Sequence, residues 1–300
     1  MLTKKQNLEA IDSFAENLEI EGRSLWQDAR IRFMRNKAAM VSLFILLTIT
    51  LAVIFVPMVA EFAYDDTDWY ALHEAPSSVH LFGTDSLGRD LFVRTFIGGR
   101  ISLMVGVLGA LVAVLIGTVY GATSGFIGGK VDRGMMRILE ILYSIPFMFL
   151  VIVLVTFFGR HIILIFVAIG AIAWLDMARI VRGQTLSLRG KEFIEAAHVC
   201  GVSKWNIIRR HIIPNVLGIV AVYSTLLVPS MILTESFLSF LGLGVQEPMT
   251  SWGALLQEGA QTMEVAIWQI AFPAVFMVIT LFCFNYIGDG LRDALDPKDR

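Results

Sequence analysis

The run Ile101–Gly129, ISLMVGVLGALVAVLIGTVYGATSGFIGG, contains no Asp, Glu, Lys or Arg. A helix needs roughly 20 apolar residues to cross a hydrocarbon core of about 30 Å, and this run is longer than that. Five other stretches share its freedom from charge: Ala38–Ala60, Ile141–Gly159, His161–Leu175, Ile212–Thr234 and Val265–Gly288. Composition agrees with them. Of 300 residues 56% are hydrophobic and 17% charged, with a mean hydropathy of +0.70, whereas soluble domains carry about a quarter charged residues. The chain reads as an all-α polytopic membrane protein. Its first run follows a 37-residue segment with no small-residue cleavage site behind it, and is read as an anchor rather than a signal peptide.

Loop charges set the orientation. With six spans, four of the 24 basic residues, Arg89, Arg94, Arg100 and Arg160, fall on one face and all the others on the amino-terminal side. Removing the short fourth span, which ends before Asp176, reverses that bias. The positive-inside rule therefore selects six helices with both termini in the cytosol. Cys200 and Cys283 then lie toward the reducing side and make no disulfide framework.

Several function classes are disfavoured. A net charge of −2 gives no reason to expect nucleic acid. No span carries a mid-depth charge of the sort ion-coupled carriers use as relays. There is no H-E-x-x-H, no G-x-S-x-G and no membrane-embedded aspartate pair, and His161 is a lone imidazole at a span end. Gly129-Lys130 is a near miss to a phosphate loop, but Ser124 and Val131 stand where Gly and Ser/Thr should be. No catalytic residue, metal ligand or nucleotide site is expected in the chain.

The segments between spans carry the rest. In the tail, Trp26 and Phe33 with Arg30, Arg32, Arg35 and Lys37 favour an interfacial amphipathic helix over 23–37, while residues 1–22 read equally well as solvated tail. The first external loop holds Gly83-Thr84-Asp85-Ser86-Leu87-Gly88-Arg89-Asp90 and Arg94, where Thr84 or Asp85 could cap a short helix with the arginines on adjoining faces. The second, 235–264, contains Glu235, Glu247, Glu258 and Glu264 and no basic residue. Its apolar stretch Ser236–Gly244 suits a re-entrant or interfacial segment.

Residues 176–211 form a basic loop that reads as two short helices around Gly201. The first runs Lys191–Cys200, with Gly201 at the left-handed position that ends a helix. Ser203 caps the second, which should stop at Pro214. Ala196 and Ala197, expected to be exposed between charges, would make a knob suited to a partner's groove. A plain connecting loop is the other reading of the same residues.

Glu195-Ala196-Ala197, Gly201 and His211-Ile212-Ile213-Pro214-Asn215 at their spacing resemble the EAA loop of bacterial ABC-importer permeases. Gly83-Thr84-Asp85 with Gly88-Arg89-Asp90 and Arg94, the Gly99–Leu103 entry to the second span, and Glu235 through Phe240 to Gly242 and Gly244 resemble the peptide-importer subfamily. With Asp289–Pro297, the chain is similar to C-type permease subunits of oligopeptide importers.

The resemblance implies a type I importer permease of six transmembrane helices in a bacterial inner membrane, with an N-terminal amphipathic helix and a cytosolic coupling helix. Its parts would be a tail (1–37), a first span with its external loop (38–97), a core domain (98–288) and a C-terminal tail (289–300). Glu192, Glu195, Ala196, Ala197, Gly201, Val202, His211 and Pro214 would form the ATPase-coupling loop. The partners implied are a second homologous permease, two cytosolic ATPase subunits that bind the ATP and Mg, an extracytoplasmic peptide-binding protein, and the bilayer. The acidic loop around Glu247 and Glu258 is the expected contact for the binding protein. Dipeptide or nickel importers of the same family are the alternative, and a secondary carrier without an ATPase is the reading from a different class.

Overall fold

The computed structural model describes residues 25–159 and 162–295. The outer part of the tail, Arg160, His161 and Asp296–Arg300 lie outside the described residues, as do the readings made of them. Helices occupy nearly all the rest: α1 (Leu25–Arg35), α2 (Lys37–Val59), α3 (Leu91–Ile127), α4 (Gly129–Ser144), α5 (Phe147–Phe158), α6 (Ile162–Arg189), α7 (Glu192–Val199), α8 (Lys204–Ile207), α9 (Ile213–Phe240), α10 (Trp252–Gln261) and α11 (Trp268–Leu295). Among the described residues the only extended pairing is an isolated bridge between Thr84 and Asp90.

Among those residues, four helices are long and apolar enough to cross a membrane: α2, α3, the continuous Lys204–Phe240 rod and α11. The bent α4–α5 pair makes a fifth if it counts as one. The expected third span, Ile141–Gly159, is not one straight helix. Pro146 interrupts the backbone ladder, α4 and α5 meet at 74°, and α5 alone has 12 residues, too few to cross. The expected fourth span falls on α6, which continues well past Asp176 to Arg189.

The second, fifth and sixth spans extend beyond their apolar runs. α3 begins ten residues before Ile101, because Asp90 accepts a hydrogen bond from the Val93 amide at 2.9 Å and caps it there. No short helix forms over 84–89, so the expected cap at Thr84 or Asp85 gives way to Asp90. The rod through α9 does not stop at Pro214. A π turn over Ile208–Ile212 takes up the proline at the start of α9, and the helix runs on to Phe240. Glu235 through Phe240 is therefore the end of a span, not a re-entrant loop. The last helix likewise continues past Gly288 to Leu295.

α3 is the central element, packed against α6, α9, α2 and α10. Its contact with α6 is backbone to backbone. Gly117, Gly121 and Gly125 recur every fourth residue and face Met177, Ala178 and Thr185, and a Cβ on Gly121 would lie 2.3 Å from the Ala178 carbonyl oxygen. Without a hydrophobic drive inside lipid, close approach through small residues is what holds such a pair.

Candidate functional site

Two sites lie at opposite ends of α3. At 1.5 Å per residue the helix is about 55 Å long. Its start carries Asp90 and Arg94, and near its end Phe126 stacks on His198 of α7, ring centroids 5.7 Å apart.

At the Phe126 end, α7, Gly201 and α8 make a tight helical hairpin. The Val202 amide donates to the Ala197 carbonyl at 3.1 Å and the Gly201 amide to the His198 carbonyl at 3.0 Å, with Gly201 at φ +74°. That pair of bonds is the Schellman closure, and it satisfies carbonyls that the helix end would otherwise leave open. Ser203 accepts from the Asn206 amide and caps α8 as expected. Ile194, Ile207, Ile208 and Ile212 are buried beneath the hairpin and fix it to the bundle. Glu192, Glu195 and Ala196 stand exposed on its surface.

Ala197 does not. It is 8% exposed and packs inward, because its place in the helix turns it to the same side as Ile194, three residues before. Of the two alanines expected to be exposed, only Ala196 is. Val202 and His211 are half-buried and Pro214 is exposed; His211 contributes its carbonyl to Asn215 Nδ2 at 2.6 Å. Sequence reading missed the apolar tip formed by exposed Phe193, Val199 and Trp205. Apolar residues inside a charged loop were the signal available for it.

At the other end, the segment between α2 and α3 and the segment between α9 and α11 close on each other through charge. Asp85 takes the Arg89 amide on one carboxylate oxygen at 3.0 Å and Arg89 Nε on the other at 2.6 Å. Arg94 Nε lies 3.2 Å from that second oxygen, an ion pair without hydrogen-bond alignment. Arg94 Nη2 reaches both oxygens of Glu258 at 3.1 Å, and Arg89 Nη2 reaches Glu247 at 3.0 Å. Arg94 is fully buried. Burial pushes the Glu258 carboxyl above the usual carboxylate range, while Arg94 and Arg89 beside it pull it back.

Glu247 and Glu258 thus turn toward arginines of their own chain. Glu258 is largely withdrawn from the surface by them, whereas Glu247 stays exposed, its side chain 59% accessible with one oxygen on Arg89. The signal was present: one external loop had the arginines, the other the carboxylates.

The motif residues around them are structural. Gly83, Gly88 and Gly242 have positive φ. Thr84 is fully buried; its hydroxyl bonds the Ala71 carbonyl and accepts from the Glu74 amide, and its own carbonyl accepts from Gln269 on α11 at 2.8 Å. Asp90 also meets His80 Nδ1 at 2.9 Å. Glu235, expected in the external loop, is completely buried at the end of α9, where Ser102 and Ser239 donate to it at 3.0 and 2.6 Å. Ser102 also accepts from the amide of Trp252, the first residue of α10, whose indole donates to the Thr95 carbonyl at 3.0 Å. Gly244 lies against Ser239, and Phe240 is exposed. The sequence singled out neither Trp252 nor His80, and Ser102 only within the Gly99–Leu103 motif, since a lone tryptophan or histidine without a partner carries no pattern.

No metal-binding group of three or more His, Cys, Asp or Glu occurs among the described residues. A groove of ≈ 260 Å³ lies between α5, α6 and α9, lined by Phe147, Asp176, Ser230 and Thr234 among others. The embedded polar residues Gln269 and Asn285 bond neighbouring protein groups, Asn285 to the Leu281 carbonyl of its own helix.

Comparison with known proteins places this arrangement. Residues 113–300 match the family model of the binding-protein-dependent transport system inner membrane component, and residues 24–76 that of the N-terminal TM domain of oligopeptide transport permease C. The chain is 68% identical to the oligopeptide transport system permease protein OppC of Escherichia coli K12, covering all of both chains. It is 46% identical to the OppC of Bacillus subtilis, over 95% of this chain and 94% of the other, and 42% identical to the dipeptide permease DppC of the same organism, over 100% and 92%. In solved structures the fold resembles the inward-facing MetNI methionine ABC transporter, with a TM-score of 0.55 and 20% identity over 66% of this chain and 94% of that one. The chain therefore belongs to the inner membrane components of binding-protein-dependent transport systems, in the line that carries the N-terminal domain of oligopeptide permease C.

Proposed function

We propose that this chain forms half of the transmembrane path of an ATP-driven importer for oligopeptides. An extracytoplasmic binding protein delivers the peptide, a second homologous permease forms the other half, and two cytosolic ATPase subunits bind the ATP and Mg. Full-length 68% identity to OppC supports the oligopeptide class over the dipeptide alternative, whose relative stands at 42%. Six spans with both termini in the cytosol fit the loop charges, with α6 as the fourth.

The observation that carries the mechanism is the hairpin on its rod. The Schellman closure makes α7 and α8 one rigid piece, and α8 runs without a break through α9. At the far end of that rod Glu235 bonds Ser102 of α3, and Ser102 bonds α10. A push on the hairpin by a closing ATPase would thus reach the external ion-pair cluster through bonded structure, since a packed helix moves as a body. The assembled transporter, reconstituted in vesicles with its ATPase subunits and binding protein, should accumulate labelled oligopeptide only with ATP inside the ATPase compartment. ATP-independent uptake driven by an ion gradient would instead establish the carrier reading, and preference for free dipeptides or nickel would establish the alternative substrate.

A further inference from the structure

α2 and α11 run antiparallel and leave between them a groove of ≈ 500 Å³. Its lining includes Lys37, Val41, Ile45, Ile279, Phe282 and Tyr286. Along α2 it spans Lys37 to Ile45, about 12 Å at 1.5 Å per residue, the length of the upper part of an acyl chain. Its lining is apolar apart from the mutually bonded Ser42 and Cys283 and one end, where the exposed Lys37 and the partly exposed Tyr286 both line it. Arg30 and Arg35 of α1 are exposed just before that end, with Arg35 two residues from Lys37. An apolar slot that ends in a cation and a phenol matches one ligand in both its parts. The chain of a phospholipid fills the slot, and its phosphate meets the lysine.

We propose that the α2–α11 groove is a binding site for an anionic phospholipid, with an acyl chain along Val41, Ile45 and Phe282 and the phosphate on Lys37. The proposal rests on α2 and α11 spanning the membrane, and is independent of which peptide is carried. The positive headgroup of a zwitterionic lipid would face Lys37, Arg35 and Arg30 with like charge, so the site should discriminate between headgroups.

The test uses the assembled transporter in nanodiscs of phosphatidylcholine with or without phosphatidylglycerol. A photoreactive phosphatidylglycerol bearing a diazirine on its acyl chain should label peptides that contain Val41 and Phe282. The phosphatidylcholine analogue should label them several-fold less, and inorganic phosphate should not compete. Lys37→Glu should cut the labelling by phosphatidylglycerol about fivefold. Ile279→Trp, which fills the slot, should abolish it; Lys37→Gln, an exposed change that cannot unfold the bundle, keeps the test valid if that variant is lost. Equal labelling by both lipids, or no effect of either lysine variant, would overturn the proposal. So would an efficient cross-link from Val41→Cys to the second permease, which would show that protein covers the groove. Peptide uptake measured on the same samples separates failure of the lipid site from failure of the importer reading.

Discussion

Arg94 shows what a single residue carries here. Its side chain is fully buried and its guanidinium stands between Asp85 and Glu258. Removing one member of a buried ionic group leaves the others uncompensated, at a cost of about 3–5 kcal/mol. Arg94→Met should therefore lower the thermal midpoint of the purified protein by several degrees, whereas Arg137→Met, whose partner Glu140 is also exposed, should not. Equal midpoints would show that the cluster contributes nothing to stability. Glu258 adds a pH dependence. Its carboxyl is raised in the fold, so its contribution to stability is fully present below the ordinary carboxylate pKa and is lost as pH rises through the raised value. Relative to Glu258→Gln, the original protein should gain stability as pH falls from the raised value toward the ordinary carboxylate range. Parallel pH curves for the two would contradict this.

At the scale of the element, the hairpin separates shape from surface. A Cβ on Gly201 would have nothing within 4 Å, so the demand for glycine there is conformational alone. A side chain at φ +74° costs about 1–2 kcal/mol, enough to loosen the Schellman closure without a clash. Gly201→Asn should keep most coupled transport and Gly201→Val should lose it. Ala196→Trp, on the exposed face, should block ATPase co-purification while leaving the thermal midpoint unchanged; Ala197→Trp, facing Ile194 and its neighbours, should lower the midpoint as well. If both tryptophans behave alike in both measurements, the surface drawn for the hairpin is wrong.

For the whole molecule the first question is which end faces the cytosol. Ser187 on α6 and Ser78 in the loop after α2 are both exposed and lie at opposite ends of the bundle. The loop charges predict that Ser187→Cys is modified by an impermeant maleimide only from the cytosol and Ser78→Cys only from outside. Labelling of both from one side would remove the six-span arrangement and the direction of import with it.

The apolar runs and the loop charges determined by themselves that this is a membrane protein, roughly where it crosses, and which end should carry the hairpin. Those are one-dimensional properties: transfer of a charge-free run into lipid depends on its composition, and the closure around Gly201 depends on bonds between near neighbours. The every-fourth-residue glycines of α3 were also written in the sequence, as the means of its approach to α6. Other features were settled only by three-dimensional packing. Ala197 turns inward because it shares the side of Ile194 and joins the buried cluster that holds Ile207, Ile208 and Ile212. Glu235 is buried, though it reads as a loop carboxylate, because Ser102, far away in the chain, meets it. Glu258 reads as a surface carboxylate until α10 lays it on Arg94 and Arg89. A charge in a sequence has no partner until folding supplies one, and burial, which decides what that charge does, is a property of the assembled helices alone.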